Sequence, residues 1–291
     1  MKKSQDIILN GSAQAKKILK NQKSKIKNQK SKICLVVILI GKNPASQVYI
    51  KIKERRAKEI GVNFKKYLLP ASVSEKKVLD LINKLNNNEN IHGILVQLPL
   101  PKKFNTQKII QKINPEKDVD GLLTTPSPSL KRRGVISPTI QSILCLIKIS
   151  NKKLAGKKAI ILANSLEFAK PLKKELEEKR IKVRILLKSK ITNYELRITN
   201  YDIIIIAFGE RHWLKPEMIK KNAVVIDVGI NRDNTVKSLR SHGARNSKKI
   251  FGDVHPDCFK KSKYISPVPG GVGPLTVAFL FKNLVKLVSK K

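Results

Sequence analysis

Tyr49 and Lys53 stand four residues apart in NPASQVYIKIK (residues 43–53), so a helix there would put both on one face. Such pairs are common on exposed helices, where they do no chemistry. A lysine whose pKa is lowered by partial burial and by cationic neighbours can instead move protons, and Lys51, Arg55 and Arg56 lie close in sequence. Gln97 follows an apolar run in IHGILVQLPLP (residues 91–101). A polar group there either faces the crevice at the carboxyl end of a strand, where α/β proteins bind ligands, or simply caps the strand. Asp118 and Asp120 precede Gly121 in INPEKDVDGLL (residues 113–123), the composition of an ordinary acidic turn. PVPGGVGPLT (residues 267–276) mixes prolines that fix φ with glycines that free it. That backbone can be bent tightly and brought close to something flat, although a Pro/Gly cluster by itself reads as a structural turn.

The elements that would position these residues are legible as alternating patterns. Apolar, β-rich runs fall at residues 33–40, 64–69, 93–98, 159–163, 183–187, 203–207 and 223–228. Helical patterns cover residues 12–27, 45–60, 75–86, 139–149 and 169–179, and the last helix starts near Leu275. Strands alternating with helices predict α/β layers with largely parallel sheets. IIIIA (residues 203–207) is apolar on consecutive positions, as a strand covered on both faces requires. A polar, proline-containing stretch at residues 124–134 marks the boundary between domains. The expected domains are residues 1–137 with the C-terminal helix 275–291, and residues 138–274.

Composition narrows the function classes. A chain of 291 residues, 41% hydrophobic, can bury a large core. Its longest apolar stretch is too short to span a bilayer, and no secretory leader pattern opens it, so a cytoplasmic location without membrane attachment is expected. Cys34, Cys145 and Cys258 are widely separated and lack CxxC spacing, which suits a reduced compartment. His92, His212, His242 and His255 have no metal-ligand spacing, so no metal is expected. The net charge of +40 is spread along the chain as lysine, with only 5% aromatics to stack on bases. It reads as compositional bias that helps attract an anionic substrate, with no specific nucleic acid expected. Two short tandem repeats, NQKSKIK/NQKSKI (residues 21–33) and ITNYELR/ITNYD (residues 191–202), carry no assigned role.

Taken in order, NPASQVYIKIK, HGILVQLPLP, NPEKDVDGL, AVVIDVGIN (residues 223–231), GDV (residues 252–254) and PVPGGVGPLT resemble the bifunctional methylenetetrahydrofolate dehydrogenase/cyclohydrolase family. The resemblance covers almost the whole chain. It implies two α/β domains around a cleft, the second a Rossmann-like dinucleotide-binding domain, and a homodimer. It implies that methylenetetrahydrofolate is oxidised with NADP and the methenyl product hydrolysed to the 10-formyl form. On it, Tyr49 lies against the folate, Lys53 is the catalytic base or proton relay, Gln97 orients Lys53, and Asp120 holds the pterin ring. Val96 and Leu98 flank Gln97 in the substrate site, and the loop of Pro269, Gly270, Gly271, Val272 and Gly273 walls it.

The cofactor turn departs from the family pattern GRSxxVGxP. Here Ala163, Asn164 and Ser165 follow the strand, then Leu166, Glu167, Phe168, Ala169, Lys170 and Pro171. Both glycines have become alanine, and Asn164 removes a basic partner for a 2′-phosphate. Glu167 places an anion at the start of the next helix, where it competes with phosphate. Ser137-Pro138-Thr139 replaces a Pro-Cys-Thr-Pro run. Ala163, Asn164, Ser165 and Ile230 are the expected cofactor contacts, with Lys188, Ser189 and Lys190 near a ribose phosphate. NADP is the cofactor implied, NAD an option. The alternative is a cyclohydrolase alone, its cofactor site degraded.

Overall fold

The computed structural model describes residues 7–29, 32–122, 135–150, 153–191, 198–232 and 250–289. The boundary stretch 124–134, His242 and half of the second tandem repeat (residues 192–197) lie outside them. The chain divides into two compact units: Gln14–Gln141 with Thr276–Lys291, and Met1–Ala13 with Ser142–Leu275.

The first unit is built on a parallel sheet of three strands, β1 (Cys34–Ile40), β2 (Asn63–Leu69) and β3 (Gly93–Val96), in the order β2-β1-β3. β1, CLVVILI, is central and buried along its whole length, which is why it carries no alternation. Helix α1 is Gly11–Lys27, α2 Pro44–Ile60 and α3 Glu75–Asn86. α2 starts where the sequence says it must. Asn43 Oδ1 accepts the Ser46 N–H at 3.0 Å, and Pro44 takes the first helical position, where its missing N–H costs nothing. α3 is capped by Ser74 and buries Val78, Ile82 and Leu85. β3 stops at Val96, two residues short of the expected end, because Pro99 and Pro101 cannot donate to a ladder. A short helix α4 (Thr106–Gln111) was not evident from periodicity, its six residues being too few to show a face. Helix α5 (Pro138–Ser150) crosses from one unit's residues to the other's.

The second unit holds a five-stranded parallel sheet of β4 (Lys158–Ala163), β5 (Lys182–Leu187), β6 (Ile203–Ala207), β7 (Val224–Asp227) and β10 (Tyr264–Ile265). The order is β10-β7-β6-β4-β5, so the sheet winds outward in both directions from β4 and β6. This is the Rossmann-like arrangement, with its switch point at the carboxyl ends of β4 and β6. A two-residue antiparallel pair, β8 (Asn231–Arg232) and β9 (Ile250–Phe251), and a short helix α7 (Cys258–Lys261) complete it. Helix α6 spans Leu166–Glu177, beginning three residues earlier than its pattern suggested. Pro171 inside it forfeits one backbone bond without ending the helix.

Ile8 and Leu9, near the start of the described residues, pair with this sheet. Leu9 N donates to Ile265 O at 2.8 Å and Ile8 bridges to Ile265, extending the sheet beyond β10. α8 (Val272–Val288) also starts three residues before Leu275, since Pro274 in its first turn lacks only an N–H that has no helical partner.

Candidate active site

Within the first unit, α2 buries Ser46, Ile50, Lys53, Ala57 and Ile60, a single stripe at helical spacing. Lys53 is the one ionisable member of that stripe and is only 8% exposed. A lone buried ammonium costs several kcal/mol, more than one hydrogen bond returns, so the stripe favours a neutral amine. Burial accordingly lowers the Lys53 pKa, against the opposing pull of the Asp120 carboxylate. The cations expected to help do not contribute. Arg55 and Arg56 both pair with Glu59 on the same helix, the latter at 2.6 Å, so desolvation does the lowering.

Gln97 meets Lys53 from the end of β3. Lys53 Nζ donates to Gln97 Oε1 at 2.8 Å. The amide cannot turn over without loss, because Gln97 Nε2 donates to Leu98 O at 2.9 Å. That carbonyl also accepts from Ser46 Oγ at 3.3 Å, about two helical turns before Lys53 on the α2 stripe. Gln97 N is itself held by Ile38 O of β1. The amide oxygen is therefore aimed at the amine by a short network of α2, β1 and β3 groups. Val96 is buried in the core behind it and Leu98 is half-buried.

Asp120 completes the group. The Asp118 carboxylate accepts both the Asp120 and Gly121 N–H groups at 3.0 Å, an Asx-type turn that sets Asp120 in place. Lys117, 3% exposed, anchors the same segment by donating to the Leu85, Asn86 and Asn88 carbonyls at the end of α3. The buried Asn283 of α8 donates to Val119 O at 2.9 Å from the other side. Asp120 keeps some accessible surface but is crowded by protein, and burial lifts its pKa to about 6 despite the nearby Lys53. Tyr49 lies one turn before Lys53 on α2 and is half-buried. Lys53, Gln97 and Asp120 thus come together from three separate segments. A base, its orienting acceptor and a paired acceptor for N–H groups can bind a flat heterocycle and move a proton beside it.

The remaining predicted residues belong to the second unit. In the loop of residues 267–273, Gly271 N donates to Pro267 O at 2.8 Å and Gly270 O accepts from Ser12 N at 2.9 Å. Ala163 ends β4 fully buried and without a positive φ, so the alanine fits where the family turn has glycine. Asn164 Nδ2 donates to Phe208 O at 2.8 Å, joining the exits of β4 and β6. Ser165 makes no side-chain cap to α6. Glu167 occupies that helix end, its carboxyl held below the usual range by its own backbone N–H and then the Ser165 hydroxyl. Ile230 is 41% exposed. Trp213 packs edge-on against Phe208.

Two residues without an expected role dominate this region. Asp253, wholly buried, accepts the Phe208, Gly209 and Glu210 N–H groups and the Asn231 amide at 2.7 to 3.0 Å. Asp227, 3% exposed, accepts the Gly229, Asp253 and Val254 N–H groups. Burial raises the Asp227 pKa to about 7, against its backbone donors. Side chains at Gly229 and Gly252 would collide with Asp253 and Asp227 respectively, so both carboxylates require those glycines. Both acids sit inside the strings AVVIDVGIN and GDV; an acid beside a glycine in an apolar run was the available signal.

Among the described residues no group of three His, Cys, Asp or Glu could hold a metal ion, and no helix is long and apolar enough to cross a membrane. Comparison with known proteins gives two family matches. Residues 9–120 match "Tetrahydrofolate dehydrogenase/cyclohydrolase, catalytic domain", and residues 137–291 match its "NAD(P)-binding domain". The chain is 39% identical to the bifunctional protein FolD of Wolbachia pipientis subsp. Culex pipiens, over 95% of this chain and 93% of that one. The crystal structure of the bifunctional FolD enzyme from Campylobacter jejuni is 36% identical, with a TM-score of 0.87, covering 97% and 98% of the two chains. That of the Trypanosoma brucei enzyme, complexed with NADP cofactor and inhibitor, is 29% identical with a TM-score of 0.88, covering 98% and 97%.

Proposed function

The chain belongs to the tetrahydrofolate dehydrogenase/cyclohydrolase family, and from that premise we propose how its own residues carry the two activities. It oxidises 5,10-methylenetetrahydrofolate with NADP and hydrolyses the methenyl product to 10-formyltetrahydrofolate. The observation that carries the reading is the 2.8 Å contact between a buried lysine and an oriented glutamine, with Asp120 beside them.

In hydrolysis, the neutral Lys53 amine takes a proton as water adds to the methenyl carbon. The resulting ammonium returns a proton to N5 as the ring opens, and the net proton goes to solvent. Gln97 Oε1 stabilises the transient ammonium and fixes its direction, so no solvent reorganisation is needed between the two transfers. Asp120, ionised above about 6, accepts the amino and ring N–H groups of the pterin. Tyr49 packs against the folate, with Leu98 lining the site next to Gln97 and Val96 supporting it from the core.

The residues of the second unit fit a dinucleotide. Its switch point lies where Ala163, Asn164 and Ser165 follow β4, and at Gly209, beyond β6, an added Cβ would meet nothing within 4 Å. Asn164, Ser165 and Ile230 would hold NADP, with Ala163 buried beneath them at the end of β4, and Glu167 must yield the α6 end to phosphate. Bound NADP supplies the hydride acceptor for oxidation of the one-carbon bridge. That step asks for placement rather than for an acid or base, so Lys53 serves hydrolysis first.

Loss of methenyltetrahydrofolate without nucleotide, and oxidation of methylenetetrahydrofolate with NADP and with NAD, test the reading. Hydrolysis that persists while neither nucleotide supports oxidation would remove the dehydrogenase half. The same reading carries a cytoplasmic homodimer with no specific nucleic acid partner. Sedimentation, cell fractionation and salt-titrated RNA retention check these.

A further inference from the structure

Two charged side chains from different strand exits meet at the end of the second sheet. Lys188 is the first residue after β5 and Glu210 lies beyond β6; Lys188 Nζ and Glu210 Oε2 are 2.6 Å apart. β5 and β6 flank β4 on opposite sides, so the pair spans the carboxyl end of β4, where Ala163, Asn164 and Ser165 follow. The Glu210 backbone is pinned there, its N–H donating at 2.8 Å to the buried Asp253. In doubly wound sheets, the position roughly twenty residues past the phosphate turn meets the adenosine ribose. An acid there accepts from a 2′-hydroxyl, and a nearby cation receives a 2′-phosphate. Lys188 stands near that position after β5, and Glu210 reaches it from beyond β6, so both charges meet at one place and neutralise each other.

Resting on the cofactor reading above, we infer that Glu210 is a specificity-determining residue that weakens the preference for NADP over NAD. Its carboxylate occupies Lys188 and repels a 2′-phosphate, while it tolerates or accepts the free hydroxyl of NAD. Glu210→Gln keeps the side-chain shape and the backbone bond to Asp253 but releases Lys188.

The test is calorimetric titration of the full chain with adenosine 2′,5′-bisphosphate and with AMP, which differ by the phosphate at issue. Both side chains are about half exposed (42% and 48%), so screening keeps the effect modest. Glu210→Gln should raise the affinity ratio of bisphosphate to AMP about fivefold at low salt, and less at high salt. Lys188→Gln should lower the ratio, and kcat/KM for NADP against NAD should move with it in both variants. An unchanged or lowered ratio in Glu210→Gln, or an equal gain for AMP, overturns this inference alone. Failure of either ligand to bind the parent chain overturns the cofactor reading with it.

Discussion

Lys53 Nζ donates to Gln97 Oε1 at 2.8 Å, and the other end of the same amide donates to Leu98 O at 2.9 Å. The amide is therefore polarised toward the amine by a backbone carbonyl whose own position is shared with Ser46 of α2. Desolvation in the apolar stripe lowers the pKa of the Lys53 base, and a fixed acceptor favours its charged form. These two effects oppose each other, and their balance is the tunable quantity of the site.

Replacing Lys53 with Met separates catalysis from stability. Methenyl hydrolysis should fall roughly 10²- to 10⁴-fold, the usual span for a positioned base. Thermal stability should hold or rise, since an apolar side chain of similar volume suits the stripe of Ile50, Ala57 and Ile60 better than an amine. Parent-like hydrolysis in this variant would defeat the role assigned to Lys53.

Gln97 is tested through the pH profile. Gln97→Leu removes the acceptor that favours the ammonium, so the alkaline-rising limb of hydrolysis should move to lower pH while the maximal rate drops. Gln97→Glu adds a negative charge at 2.8 Å contact distance and should move that limb upward. Identical limbs in all three proteins would show that Gln97 does not act on Lys53.

Asp120 links pH to both binding and stability. Its pKa rises from 3.8 to about 6 on folding, so the folded chain holds more protons than the unfolded chain between those values. The destabilisation from burying the carboxylate is thus absent below 3.8, grows as pH rises, and is complete above about 6. Asp120→Asn should gain stability relative to the parent near neutral pH and lose that advantage in acid, as urea unfolding at both pH values would read. In the parent, folate KM should climb as pH falls through about 6, where the acceptor becomes protonated.

Asp253→Asn leaves an amide where a carboxylate accepts four N–H donors, from Phe208, Gly209, Glu210 and Asn231. At least one donor is then left facing another donor, at a cost of about 2–4 kcal/mol. Chemical denaturation measures that loss. Amide exchange should accelerate at Phe208, Gly209 and Glu210 ahead of the sheet itself; uniform acceleration across β6 would instead mark global destabilisation.

Much of the framework is local and was readable as such. The unbroken CLVVILI of β1 and IIIIA of β6 declare strands covered on both faces, and Asn43-Pro44 declares the start of α2. Ends were harder to read, because a proline looks like a breaker in sequence whereas Pro171 and Pro274 each forgo only one N–H. The long strings around Tyr49, Lys53, Gln97 and Asp120 announced the family and the residue types.

Which of those residues act together was settled by the fold. Lys53 and Gln97 are 44 residues apart, Asp253 and Phe208 45, and no pattern of spacing connects them. Sequence could place Lys53 on a helix face, but whether that face looked at water or at the core decides whether its amine is charged. Parallel strands bring distant carboxyl ends side by side, and burial there turned two unremarked aspartates into the tie between three loops. Periodicity and capping are short-range and written in the chain; desolvation and long-range hydrogen bonding exist only once the sheets have assembled.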